Sequence, residues 1–248
     1  TITWLLDGTG GETLRHLQQL TRSLEGFYHP STVHDRNTSL GTLLSSLPAA
    51  FLSRMKLEAR RGQPPEEQLQ QSVKDAVVGM WAPIALTTLN SKSMTLVRHA
   101  SRALHSMANL SPAVLFPPLL ERAQLVLGFA STPGLKLGML GVLQGLMGPL
   151  LEYDSDGRHL VELLPHIVEG IDPNDTMKTQ YCVSLLYSLS QRAVLSAEGC
   201  GPRQALGYAM DDFVVAIVQK TLEQLTSLGA SNGVVKPTGT WLVTSLRH

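Results

Sequence analysis

The stretch Gly170–Asp175 (GIDPND) holds two carboxylates and an amide, the oxygen donors that metal sites and acid–base sites both use. Pro173 cannot continue a preceding helix, and it disfavours the α conformation at Asp172. The side-chain oxygen of Asn174 or Asp175 can cap a following helix. Because each polar residue then has a structural task, we interpret GIDPND as a corner between two helices. A metal or catalytic role would need partners that the sequence does not identify.

Three other stretches imitate known sites incompletely. Glu152–Gly157 has acids and a glycine at calcium-loop spacing, but Leu163 stands where the bidentate Glu is required. The segment Asp7–Gly11 is Gly-rich but lacks the Gly-Lys-Ser/Thr ending of a phosphate-binding loop. His159 and His166 can share a helix face, yet no third metal ligand follows from the sequence. We therefore predict no catalytic, cofactor-binding or metal-ligating residue and no cofactor, and we do not expect an enzyme.

The main basic run consists of Arg54, Lys56, Arg60 and Arg61. The simplest interpretation is a solvated helix end, where cations complement the negative end of the helix dipole. Binding of an anion is the alternative.

Composition limits the class of protein. The formal net charge is +0, with 43% hydrophobic and 16% charged residues, which argues against a broad surface for nucleic acid. No apolar run is expected to reach the length of a membrane span, because polar residues or prolines break each candidate, and residues 1–10 lack the basic start of a signal peptide. Two cysteines form no disulfide framework; Cys182 is predicted to be a buried thiol and Cys200 to lie in a Gly-rich turn. A reduced intracellular compartment is expected.

Apolar residues recur with helical spacing along most of the chain. Roughly nine helices are predicted by this count, separated by short breaks rich in Pro, Gly, Ser and Asp. The stripes cover 14–27, 40–55, 69–84, 97–108, 114–130, 135–150, 160–171, 175–195 and 206–218. Residues 230–248 are predicted to be an irregular tail or the start of a next repeat.

An internal repeat links three of these helices. Leu115–Glu121 (LFPPLLE) resembles Leu163–Glu169 (LLPHIVE) at an offset of 48 residues, and Trp81–Leu86 (WAPIAL) is a looser copy. A repeat of this size is typical of HEAT or armadillo helix pairs, which bury their apolar faces by stacking. We predict an all-α, HEAT/armadillo-like superhelical solenoid of antiparallel helix pairs over residues 1–229. A proline at a helix start would fit, whereas one further inside would kink the helix.

The order of motifs resembles one family. Gly26–Ser31 (GFYHPS) closes the first helix, and Leu110–Pro112 precedes LFPPLLE. Leu163–Asp175 comes next, and Asp211–Val214 then starts a long helix. This order resembles the giant HEAT-repeat proteasome activators of the Blm-ten type, known in animals as proteasome activator complex subunit four. The resemblance covers roughly Glu12 to Leu228, and FYHPS and GIDPND are its most specific pieces.

The chain departs from the family pattern in two places. Thr32–Arg36 replaces an Asn-Gly-Trp-like continuation after FYHPS, and the link leading to Gln68 is shorter than expected. A divergent member and a chain with missing segments would both explain these departures. Family members are several times longer, so the chain resembles an internal slice from the N-terminal half.

The resemblance implies a dome-shaped solenoid that caps the proteasome core particle, promotes gate opening and peptide degradation without ATP, and works in nucleus and cytoplasm. Members have been linked to inositol phosphates and acetylated histones, but no residue here can be assigned to either ligand. The family docks through a C-terminal hydrophobic-Tyr-X motif, which Ser245–His248 does not match. The alternative is a generic HEAT or armadillo adaptor, such as a transport receptor or phosphatase-type scaffold. An all-α enzyme would need convergent polar groups that the sequence does not show.

Overall fold

The computed structural model describes residues 11–30, 37–129, 131–154, 157–172, 174–190, 215–216, 218–220 and 222. Over these residues the chain forms helices and no strand. The eight complete α-helices are α1 Gly11–Glu25, α2 Asn37–Arg61, α3 Gln71–Thr88, α4 Met94–Leu110, α5 Pro112–Gly128, α6 Pro133–Tyr153, α7 Arg158–Glu169 and α8 Thr176–Ser190. A 3-10 helix, Gly26–Tyr28, follows α1.

The helices coincide with the predicted apolar stripes. In α7, for example, the buried residues are those of the stripe, Leu160, Leu163, Leu164, Ile167 and Val168. The ninth predicted stripe, 206–218, lies mostly outside the described residues, although residues 215, 216 and 218 are helical. The tail 230–248 lies outside them entirely.

The chain divides into two compact units, Thr1–Leu119 and Leu120–His248, with the boundary inside α5. In the first unit α1 packs against α3, and α2 packs against α4. In the second unit α6 packs against α8. Helices two apart in the chain therefore stack on each other within each unit, which is how repeated helix pairs build a continuous core. The predicted all-α, HEAT-type class is confirmed.

The three copies of the internal repeat lie on α3, α5 and α7, and their burial patterns match. Trp81 and Ala82, Leu115 and Phe116, and Leu163 and Leu164 are buried, whereas the prolines that follow them, Pro83, Pro117, Pro118 and Pro165, are exposed. These prolines stand inside their helices and not at the first turn. An exposed face tolerates them because the carbonyl that loses its N–H partner can bind water.

A close approach fixes the contact between α2 and α4. A Cβ atom added to Gly41 would lie 2.6 Å from Cδ2 of His99, so only glycine leaves room for the imidazole. The Nδ1 atom of His99 is hydrogen-bonded to the hydroxyl of Ser45 at 2.8 Å. The ring of His99 therefore packs on α2 and is held there by a polar contact.

One of the described helices, α6, is long and apolar enough to cross a membrane by length and composition, with a mean hydropathy of 1.3. The expectation that every apolar run is too short was wrong for this helix. The core helix of a soluble protein passes the same test. Leu140, Leu143 and Leu146 are among its buried side chains, so the helix has an apolar face directed into the protein.

Candidate functional site

The FYHPS corner fastens the end of α1 to α2. Tyr28 is 2% exposed, and its hydroxyl donates a hydrogen bond to the carbonyl oxygen of Leu40 at 2.8 Å. Burial raises the pKa of Tyr28 to about 12, so the phenol stays neutral and keeps this hydrogen bond at physiological pH. Phe27, in contrast, is 47% exposed. The tyrosine therefore anchors the motif to α2.

The GIDPND corner joins α7 to α8 through hydrogen bonds to the backbone. An Oδ1 atom of Asp175 accepts a hydrogen bond from the N–H of Lys178 at 3.0 Å, which is the predicted helix cap. The Oδ1 atom of Asp172 accepts from the N–H of Asn174 at 2.9 Å. The hydroxyl of Thr179 accepts from the N–H of Asp172 and donates to its carbonyl oxygen. The polar atoms of this stretch thus hold the turn between two helices.

The close contact with Cys182 explains why this corner needs a glycine at Gly170. A Cβ atom on Gly170 would lie 2.5 Å from Sγ of Cys182, on the neighbouring α8. Cys182 is fully buried, as the sequence predicted, and burial raises the pKa of its thiol to about 12. The nearby Lys178 acts in the opposite direction on this pKa and Asp175 in the same direction, both less than burial. The thiol is therefore neutral and serves as a packing group.

Asp175→Ala is expected to lower the free energy of unfolding by about 0.5–2 kcal/mol, because the N–H of Lys178 loses its acceptor. Asn174→Ala is the matched control: Asn174 is exposed, and about 0.5 kcal/mol or less is expected. Urea denaturation of the two variants measures both values. Divalent metal ions should leave the melting temperature unchanged; a metal-dependent rise that Asp175→Ala abolishes would contradict the corner assignment.

The calcium-like stretch contains a second helix cap, which sequence reasoning missed. Asp154 is 5% exposed, and its carboxylate accepts hydrogen bonds from the N–H groups of Leu160 at 2.9 Å and His159 at 3.3 Å. These donors belong to the first turn of α7, where backbone N–H groups have no partner inside the helix. An acid shortly before a predicted helix was the signal that could have identified this role.

The basic run is not one exposed cluster. Lys56, Arg60 and Arg61 are exposed near the end of α2, as expected. Arg54 is 5% exposed, and its Nε donates to Oε1 of Glu58 at 2.5 Å. Including Arg54 in a solvated cluster was therefore wrong, because the i, i+4 spacing places it beside a buried carboxylate on the same helix.

The two histidines of the predicted pair have different neighbours. The ring of His159 stacks on Tyr153, with ring centroids 6.5 Å apart. His166 lies against Gly128 on α5 and reaches no closer than 3.9 Å to a carboxylate oxygen of Glu169.

In the part of the chain that the structure describes, no group of three or more His, Cys, Asp and Glu side chains could hold a metal ion. Asp7–Gly10 and Cys200 lie outside that part.

The comparisons with known proteins point to one family. Residues 17–229 match the family described as proteasome activator complex subunit 4, mid HEAT repeats region. Proteasome activator complex subunit 4 of Xenopus laevis is 28% identical over 200 residues, which is 76% of this chain and 11% of that protein. The human protein gives the same identity and coverage. Subunit 4B of Danio rerio is 29% identical over 188 residues, 71% of this chain and 10% of that protein.

The chain spans about a tenth of the length of these relatives. The matched residues include Tyr28 and the whole GIDPND corner. A helical fold in which every second helix stacks is what a HEAT-repeat region requires. The chain therefore belongs to the proteasome activator complex subunit 4 family and corresponds to its mid HEAT-repeat region.

Proposed function

We propose that this region forms part of the solenoid wall of an ATP-independent proteasome activator that caps the core particle and promotes gate opening and degradation of peptides and proteins. The observation that carries the proposal is the family match over residues 17–229. The proposed partner is the proteasome core particle, which the full-length protein would contact. Nucleus and cytoplasm are the proposed locations.

The geometry favours an architectural contribution over a catalytic one. The carboxylates of Asp154, Asp172 and Asp175 accept hydrogen bonds from backbone N–H groups at helix corners. The thiol of Cys182 is buried and neutral. These groups stabilise the joints between stacked helices, and a solenoid needs such joints to keep a defined curvature.

The test is a fluorogenic-peptide assay with purified core particle and no ATP. It compares a full-length protein carrying this region, the 248-residue chain, and no addition. We expect stimulation by the full-length protein only, because the 248-residue chain spans about a tenth of the length of its relatives and forms only a part of the wall.

Two results would contradict the proposal. Stimulation by the 248-residue chain alone would show that this region does more than form a wall. A folded full-length protein that binds the core particle but gives no stimulation would exclude the activator role. A folded protein that does not bind would favour a HEAT adaptor with other partners.

A further inference from the structure

A cleft of about 120 Å³ lies in the second unit, where side chains from four helices meet. Its polar lining comes from α6, α7 and α8, and its apolar lining from α5 and α6. The residues are Lys136, His166, Glu169 and Lys178, with Leu127 and Leu140. Two lysines and a histidine from three different helices therefore face one small space.

The ammonium group of Lys136 can donate more hydrogen bonds than the one that the structure shows. Its Nζ donates to the carbonyl oxygen of Leu127 at 3.3 Å, near the end of α5. A lysine ammonium carries three hydrogens, so further hydrogen bonds can be made from the same atom. That contact also places the charge at the wall of the cleft.

Lys178 is the most informative residue of the cleft. It lies in the first turn of α8, three positions after the capping Asp175, where the helix dipole disfavours a cation. Among the described residues, no hydrogen-bond or ion-pair partner of its side chain is found. The carboxylate of Asp175 supplies one negative charge at this end of α8, and an anion in the cleft would add a second beside Lys178.

His166 adds an unused polar atom. Its Nδ1 is buried and has no hydrogen-bond partner. The carboxylate of Glu169 is 3.9 Å away, which is beyond hydrogen-bonding distance, and its side chain is 78% exposed. Solvent screens the charge of an exposed carboxylate, so Glu169 offsets the positive charge of the two lysines only in part.

We propose that this cleft binds a compact dianion, either a phosphate group or a small dicarboxylate. Lys136 on α6 and Lys178 on α8 donate to its oxygen atoms, and His166 donates a further hydrogen bond. The charge of such a ligand matches that of the two lysines, whereas a single carboxylate would be satisfied by one of them. The inference concerns a ligand of this region and does not depend on the proposed function.

The test is calorimetric titration of the 248-residue chain with sodium phosphate and, separately, with sodium malonate, against sodium chloride at matched ionic strength. We expect saturable binding at one site for at least one of the two dianions. Lys178→Met should weaken that binding about 10-fold, which corresponds to the loss of one charge-assisted hydrogen bond. Lys92→Met, at an exposed lysine of the first unit, should leave it unchanged.

Binding of phosphate alone would identify the ligand as a phosphate group, and binding of malonate alone as a dicarboxylate. No saturable binding above the chloride control would overturn the proposal. So would binding that Lys178→Met and Lys92→Met affect equally. The melting temperature without ligand checks that Lys178→Met is folded, and His166→Gln, which should also weaken binding, serves as a second variant if it is not.

Discussion

Replacing Glu58 with alanine is expected to lower the free energy of unfolding by about 3–5 kcal/mol. Glu58 is 3% exposed, and its two carboxylate oxygens have different partners. Oε1 accepts from Nε of Arg54 at 2.5 Å, and Oε2 accepts from the backbone N–H of Leu69 at 3.0 Å. The variant therefore removes a carboxylate from a buried guanidinium and leaves a buried N–H group without its acceptor.

Urea denaturation, followed by circular dichroism, measures this loss. Glu66→Ala is the matched control, since Glu66 is an exposed acid in the loop between α2 and α3, and about 0.5 kcal/mol or less is expected. The double variant Arg54→Met/Glu58→Met should cost less than the sum of its two single variants, because neither member of the ion pair is then left buried without the other. Equal effects of Glu58→Ala and Glu66→Ala would show that the buried pair contributes nothing.

The helices could be predicted because their signal is local. Apolar side chains that repeat with a period of 3.6 identify one face, and in α7 that face is the buried one. The cap at Asp175 is local as well, since Pro173 ends one helix and the acid lies just before the next. The thiol of Cys182 was placed correctly for the same reason, because it continues an apolar stripe.

Such local signals could not predict that the Arg54–Glu58 pair is buried. Neighbouring basic residues predict a solvated helix end, and only the chain that covers the helix decides whether a particular charge is buried. Here the covering chain includes Leu69, eleven residues beyond Glu58. The proposed cleft depends on the same kind of information, because Lys136, His166 and Lys178 meet only when three helices pack together.

At Gly170, glycine is required by the packing between helices and not by the backbone conformation. Its φ of −68° and ψ of −15° suit any L-amino acid, so conformational freedom does not explain the glycine. The explanation is space. A Cβ atom would lie 2.5 Å from Sγ of Cys182 and 3.0 Å from the carbonyl oxygen of Ile167. The sulfur belongs to α8, so the shorter of these two contacts arises only when α8 packs against the end of α7.

Gly170→Ala is accordingly expected to lower the free energy of unfolding by about 1–3 kcal/mol through overpacking, although alanine suits the backbone there. Gly138→Ala, inside α6, is the matched control: nothing lies within 4 Å of its added Cβ, and a gain of about 0.5–1 kcal/mol is expected. Urea denaturation measures both.

The double variant Gly170→Ala/Cys182→Ala should cost less than the sum of its two single variants, because the sulfur that opposes the new methyl group is gone. A Gly170→Ala variant as stable as Gly138→Ala would contradict the close packing of α8 on this corner. A double variant that costs the full sum would assign the overpacking to the carbonyl oxygen of Ile167, which Cys182→Ala leaves in place.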